Sequence, residues 1–190
     1  MNTRENILKC ALHLFYSEGY DAVGVQEIAD SAQITKPTIY YYFGSKYGLL
    51  ESLLDDCYSS FSAAIKQAAV YDGDLPATLY RTVKVYFQKI EENREFYKLV
   101  MNMMYSAEQS DPYKASAKIR MDQKQIFTKL FEEAGDVVGN MYGRQEQFAV
   151  TFLGFLNSYL LYWFDKEDTK EISDKQAFAV VHQFLHGIYV

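Results

Sequence analysis

Proline, cysteine and surplus positive charge are all scarce in this chain, and each shortage removes a class of protein. Only 3 of its 190 residues are proline, so helices can run long without an interior break. Cys10 and Cys57 lie far apart and have neither C-x-x-C nor metal-ligand spacing. They read as small apolar side chains in a reducing compartment, with a redox switch as the sharper alternative. Arg4, Glu5 and Lys9 interrupt the first turns, so no secretory signal is read and a cytoplasmic protein is expected. Lys and Arg total 19 against 25 Asp and Glu, a net charge of -6. Composition therefore argues against a polyanionic partner, and any nucleic-acid reading must rest on where the charges sit. Within residues 1–46, Arg4, Lys9, Lys36 and Lys46 are outnumbered by Glu5, Glu18, Asp21, Glu27 and Asp30, 4 against 5. H-E-x-x-H, G-x-S-x-G, P-loop and dinucleotide motifs are all missing. The expectation is a protein that is not an enzyme and carries no cofactor, with a small helical hydrolase or redox protein as the rival class.

Aromatic residues are abundant, with 17 Tyr and 13 Phe, and hydrophobic periodicity points to an all-α fold. Ile7, Cys10, Ala11, Leu14 and Phe15 form one stripe of a first helix, capped by Asn2 or Thr3 with Glu5 closing a box, and Gly19 ends it. A helix near Val25–Ala32, a turn at Gln33–Ile34 and a helix from Thr35 through Tyr42 have the proportions of a helix-turn-helix. Gly44 offers a stop and Ser45 a new N-cap for a long helix carrying Leu49, Leu50, Leu53, Leu54 and Phe61 to a break near Tyr71-Asp72-Gly73. Further helices are expected near 74–92, 94–106, 113–134, 144–164 and 173–188. The uncharged run from Phe148 to Phe164 includes Thr151, Asn157, Ser158, Tyr159, Tyr162 and Trp163. It reads as a helix buried on two sides, not as a membrane span.

Lys36 and Lys46 stand where a helix should not favour them. Each would open a helix, and a cation in the first turn opposes the macrodipole by roughly 0.3–1 kcal/mol. A phosphate beside each reverses the sign, so two such positions ten residues apart read as clamps on a nucleic-acid backbone. Between them, burying Ile39 and Phe43 turns Thr38, Tyr41 and Tyr42 outward and leaves Tyr40 at the flank. Hydroxyl-bearing rings suit base edges, thymine methyls and phosphate oxygens in a major groove. The alternative is that Tyr40, Tyr41 and Tyr42 merely seal a small domain.

Thr3-Arg4-Glu5-Asn6-Ile7-Leu8, Leu14-Phe15, Gly19-Tyr20, Ile28-Ala29, the run Thr35-Lys36-Pro37-Thr38-Ile39-Tyr40-Tyr41-Tyr42-Phe43-Gly44-Ser45-Lys46 and Leu49-Leu50 closely resemble the N-terminal region of the tetracycline-repressor (TetR) family. The likeness covers about residues 1–54. It implies a three-helix DNA-binding domain, assigned to residues 1–46, on a larger helical ligand-binding and dimerisation domain at 47–190. It also implies a transcriptional regulator, most often a ligand-released repressor, that pairs through its last two helices. By position, base and backbone contacts would fall on Gln26, Lys36, Pro37, Thr38, Tyr40, Tyr41 and Tyr42. Lys46 matches a phosphate lysine, and Thr3 or Arg4 would touch the backbone. Gly24 replaces the usual capping Ser or Thr, and Gln33 replaces the usual turn glycine, which strains the turn if that position needs a positive φ.

For the sensing half, residues 96–105 pack methionines and aromatics around Asn102, a composition suited to an adaptable apolar pocket or to plain core. Phe96, Met101, Asn102, Met104 and Tyr105, facing Phe127, Phe155, Tyr159 and Trp163, are the candidate lining of a site for an apolar or aromatic small molecule. His182 and His186 lie four apart on the last helix, but without a carboxylate or thiolate at ligand spacing no metal is assigned. A homodimer is expected through residues 144–164 and 173–188, bound to a near-palindromic DNA operator with half-sites roughly 34–36 Å apart or somewhat more. A helical adaptor that binds only protein is the second rival.

Overall fold

The computed structural model describes residues 2–135, 141–164 and 173–187. Among them every regular element is a helix: α1 (Thr3–Glu18), α2 (Val25–Ser31), α3 (Lys36–Phe43), α4 (Lys46–Ala68), α5 (Leu75–Glu92), α6 (Arg94–Met104), α7 (Asp111–Ala115), α8 (Ala117–Ala134), α9 (Gln145–Phe164) and α10 (Asp174–His186). The fold is all-α, as the periodicity requires. Most helix N-termini lie where a side chain accepts from a free backbone N–H. Asn2 and Glu5 form the capping box of α1, Ser45 Oγ accepts from Gly48 N–H at 2.9 Å, and Ser173 with Gln176 caps α10. The sequence-derived ranges differ from the helices at several places. α4 stops at Ala68 because Thr82 Oγ1 and Arg81 Nε both donate to its carbonyl at 3.0 Å. The stretch expected as one helix over 113–134 is two, broken at the buried Ser116, whose hydroxyl turns back to the Tyr113 carbonyl at 2.9 Å. The last expected helix extends to 188, which lies outside the described residues.

Packing divides the chain into two compact units, Met1–Ser60 with Asn93–Arg120 and Phe61–Glu92 with Met121–Val190. This grouping differs from a partition at 46/47, because α6 packs on α1 and brings residues 93–120 into the first unit. The first unit is centred on Ile7, Ala11, Phe15, Ile28, Ile39, Leu49 and Leu50, all essentially without exposure. α6 adds the buried side chains Phe96, Tyr97, Val100 and Met101. In the second unit α10 lies against α5 and α9, and its core is a continuous set of rings. Phe61 meets Tyr86 at 5.2 Å, Phe127 meets Phe152 at 5.1 Å, and Phe152 meets Phe184 at 4.6 Å between centroids. Edge and tilted geometries of this kind add to the gain from burial alone.

Candidate nucleic-acid interface

α2 and α3 are joined by a tight turn at Gln33 and Ile34. Ile34 N–H returns to the Ala29 carbonyl at 3.0 Å, and Gln33 between them takes φ 56. A side chain in that left-handed region carries the strain that glycine would avoid. Asn6 Nδ2 donates to the Ala32 carbonyl at 2.9 Å and fixes the turn to α1. At the start of α2, Gly24 offers no side-chain cap. Glu27 compensates in part by accepting from the Gly24 N–H at 3.4 Å.

α3 buries one face and leaves three adjacent rings on the other. Ile39 and Phe43 are buried, while Tyr41 is 84% exposed and Tyr40 and Tyr42 are 43% and 42% exposed. Tyr41 and Tyr42 support one another edge-on at 5.3 Å. Lys36 occupies the first position of α3 and is exposed, with Pro37 beside it. Its ammonium lies 6.0 Å from the centre of the Tyr40 ring. Thr38 is half-buried and its hydroxyl pairs with Thr35 Oγ1 at 2.9 Å. Gln26 and Thr3 are exposed, Gln26 donating to Asp30 at 2.8 Å. Arg4 is held by Asp56 at 3.2 Å.

Lys46 opens α4 as expected, but its ammonium is already engaged. It donates to the Tyr20 carbonyl and lies 4.2 Å from the centre of the Tyr20 ring. Burial pulls its pKa down, opposed by the negative charges of Asp21 and Asp111. Tyr20 in turn reaches Asp111 Oδ2 at 3.4 Å. Burial first, and then the Asp111 charge, drive its hydroxyl pKa well above the phenol range. The ammonium keeps further N–H donors with which to meet a phosphate while it holds the Tyr20 carbonyl.

Tyr20 stood out in the sequence only as part of the Gly19-Tyr20 pair, and its contact with Asp111 was hidden because it spans residues far apart in the chain. Gly48 is a further position that sequence reasoning passed over. A Cβ there would come within 2.2 Å of the Phe43 carbonyl oxygen, so the corner from α3 into α4 closes only over a glycine. The one available signal was a glycine inside a helical pattern.

The nine candidate pocket residues divide between the two units. In the first, Phe96 and Met101 are buried and Met104 is half-buried, while Asn102 and Tyr105 are exposed, on the outward face of α6. In the second, Phe127 and Trp163 are buried, and Phe155, Tyr159 and Trp163 follow one another at 5.0 Å. None of the nine edges the groove of about 370 Å³ in the second unit, whose rim carries Lys66, Asp122, Lys129 and Glu133. His182 and His186 are exposed with ring centres 4.5 Å apart. Among the described residues no cluster of three or more His, Cys, Asp or Glu could hold a metal ion, and no helix is long and apolar enough to cross a membrane.

The sequence profile for bacterial regulatory proteins of the tetR family matches residues 7–53, the stretch that builds this surface. The chain is 32% identical over 151 residues to the HTH-type transcriptional regulator YuxN of Bacillus subtilis, covering 79% of this chain. It spans about half the length of that relative, 49%. Identity to the HTH-type transcriptional activator FasR of Mycolicibacterium smegmatis is 25% over 184 residues, 97% of this chain and 81% of the relative. The fatty acid degradation regulator FadR of Bacillus halodurans superposes with a TM-score of 0.77 at 19% identity, covering 97% of this chain and 98% of that one. The likeness to FadR shows the fold.

Proposed function

Since this chain belongs to the tetR family of bacterial regulatory proteins, we propose that it is a DNA-binding transcriptional regulator, a repressor that binds a near-palindromic operator as a homodimer and leaves it when a small apolar effector binds. The observation that carries this reading is the exposed Tyr40-Tyr41-Tyr42 face between two helix starts that each bear a lysine. Three adjacent rings left in water by a well-packed unit call for a partner surface with both stacking and hydrogen-bonding groups. In this reading Thr38, Tyr41 and Tyr42 read bases from α3. Gln26, Thr3, Lys36, Pro37, Tyr40 and Lys46 hold the backbone, and residues 1–46 are the DNA-binding part.

Residues 47–190 then supply pairing and sensing. Val150, Leu161 and Tyr162 on α9 and Phe178 on α10 are each about half exposed or more. An apolar set on the last two helices fits an isologous four-helix contact. α4 is one continuous helix from Lys46 to Ala68, which supports its use as the lever between effector and operator. No catalytic residue is assigned, and the place of action is the cytoplasm, where operator DNA is. The names of the relatives leave the sign of regulation open, since FasR is named an activator. One experiment tests the core of the reading: selecting duplexes from a random pool with the purified protein, then footprinting the winners. A symmetric protected site supports it. Unprotected DNA would favour a protein-only adaptor.

A further inference from the structure

Among the described residues, the second unit encloses two side-chain polar atoms without a hydrogen-bond partner, and one of them lies deep in its core. Gln123 on α8 is 4% exposed, and its Nε2 is enclosed without a hydrogen-bond partner among the described residues. Thr128 Oγ1 is the other such atom, but its side chain is half-buried and edges an open groove that water can enter. Gln123 lies instead on the inward stripe of α8, with Ile126, Phe127 and Leu130 all buried. Phe127, one turn on, stands 6.4 Å from Tyr86 and 5.1 Å from Phe152. A buried amide N–H loses its water on folding and recovers nothing unless an acceptor arrives. We infer that Gln123 is the polar anchor of the effector site, and that it selects an apolar ligand carrying a neutral carbonyl, amide or hydroxyl group.

Charge decides the class of that head group. Of the two charged residues that flank it in the chain, Asp122 takes the Lys66 ammonium at 2.7 Å and the Ser62 hydroxyl at 2.6 Å, and Lys124 takes the Glu146 carboxylate at 2.8 Å. Both charges are therefore already paired, and a carboxylate at Gln123 would have no cation of its own. A cationic head would lose its hydration to a buried neutral amide. A neutral group pairs with the amide and needs no counter-ion. Either end of the amide can serve, since donor and acceptor exchange by a flip of the side chain.

The inference rests on the effector half of the proposed function, and its test reads neither operator nor dimer, so the two can fail separately. Decanamide, decanoate and decylamine share one chain and differ only in head group. Titrated into the full-length wild-type protein, decanamide is expected to bind at least about tenfold more tightly than either charged analogue. Gln123→Met keeps the shape and removes the amide. It should weaken decanamide about tenfold and raise the melting temperature of the unliganded protein by roughly 2–4 °C, as the unpaired group is gone. Equal affinity for the three probes, no binding of decanamide, or undiminished decanamide affinity in Gln123→Met would overturn the inference. So would a fall in melting temperature, which would mean that the amide is already paired in the folded chain.

Discussion

Tyr41 on α3 and Tyr86 on α5 are the same residue in opposite situations: one is 84% exposed and the other has no exposure at all. Tyr86 touches Phe61, Phe87 and Phe127 and shares a hydrogen bond of 3.1 Å with Asn157. Tyr41 touches only its neighbour Tyr42 among the ring contacts described. The difference separates two uses of an aromatic surface. In the second unit the rings satisfy one another and stabilise the fold. On α3 they are held in water by a short helix whose other face is already committed to Ile39 and Phe43, and they are free to meet something else.

Removing each ring should sharpen that contrast. Tyr86→Ala is expected to cost about 3–5 kcal/mol of stability, whereas Tyr41→Ala should stay within about 0.5 kcal/mol. Urea unfolding of the two variants side by side checks both, and a large loss from Tyr41→Ala would make it a core residue. Gly48→Ala comes next, at about 2–3 kcal/mol, since its methyl cannot coexist with the Phe43 carbonyl without shifting the corner that aims α3. Circular dichroism melts would show the loss, and a variant as stable as wild type would mean the corner yields easily.

For the exposed face, Tyr42→Ala should lose about 1–3 kcal/mol of discrimination between a selected duplex and its single-base variants. Equal weakening on every sequence would remove Tyr42 from the base-reading set. Gln33→Gly should stabilise by about 0.4–1 kcal/mol, because glycine accepts φ 56 without strain. An unchanged or lowered melting temperature would show that the turn is not strained. The smallest effect concerns Cys57, whose thiol burial pushes up to about 11 from an ordinary 9.0, with the Asp56 charge adding to it. Folding therefore favours the protonated thiol. That contribution is complete below pH 9 and is lost as pH rises toward 11. Iodoacetamide should accordingly label Cys57 much more slowly in folded than in urea-unfolded protein at pH 8.5, and equal rates would mean the thiol is open.

Phe178→Glu probes the proposed pairing surface more cleanly than Phe155→Glu or Phe184→Glu. Phe178 is 61% exposed, whereas Phe155 and Phe184 are in contact with other rings. Sedimentation of Phe178→Glu as a monomer is the expected result, and an undisturbed dimer would move the interface elsewhere.

Local chemistry was legible in the sequence where it is decided locally. Asn2 with Glu5, Ser45 before Lys46, and Ile39 with Phe43 each act within one or two helical turns, and each stands where the pattern placed it. What the sequence hid depends on distant partners. The break at Ser116, the carbonyl of Tyr20 that holds Lys46, the approach of Phe43 to Gly48 and the unpaired amide of Gln123 all arise from packing or backbone geometry. No periodicity encodes them. The methionine-rich stretch divides for the same reason, since Asn102 and Tyr105 are exposed while Phe96 and Met101 turn inward.

The central claim is that the tyrosine face of α3 meets DNA in a sequence-dependent way. Its most direct test is the affinity of the wild-type protein, at one fixed salt concentration, for a duplex obtained by selection and for a scrambled duplex of the same length. The account predicts that the selected duplex binds at least about 10³-fold more tightly. Equal affinity for the two, or no binding to either, would contradict it.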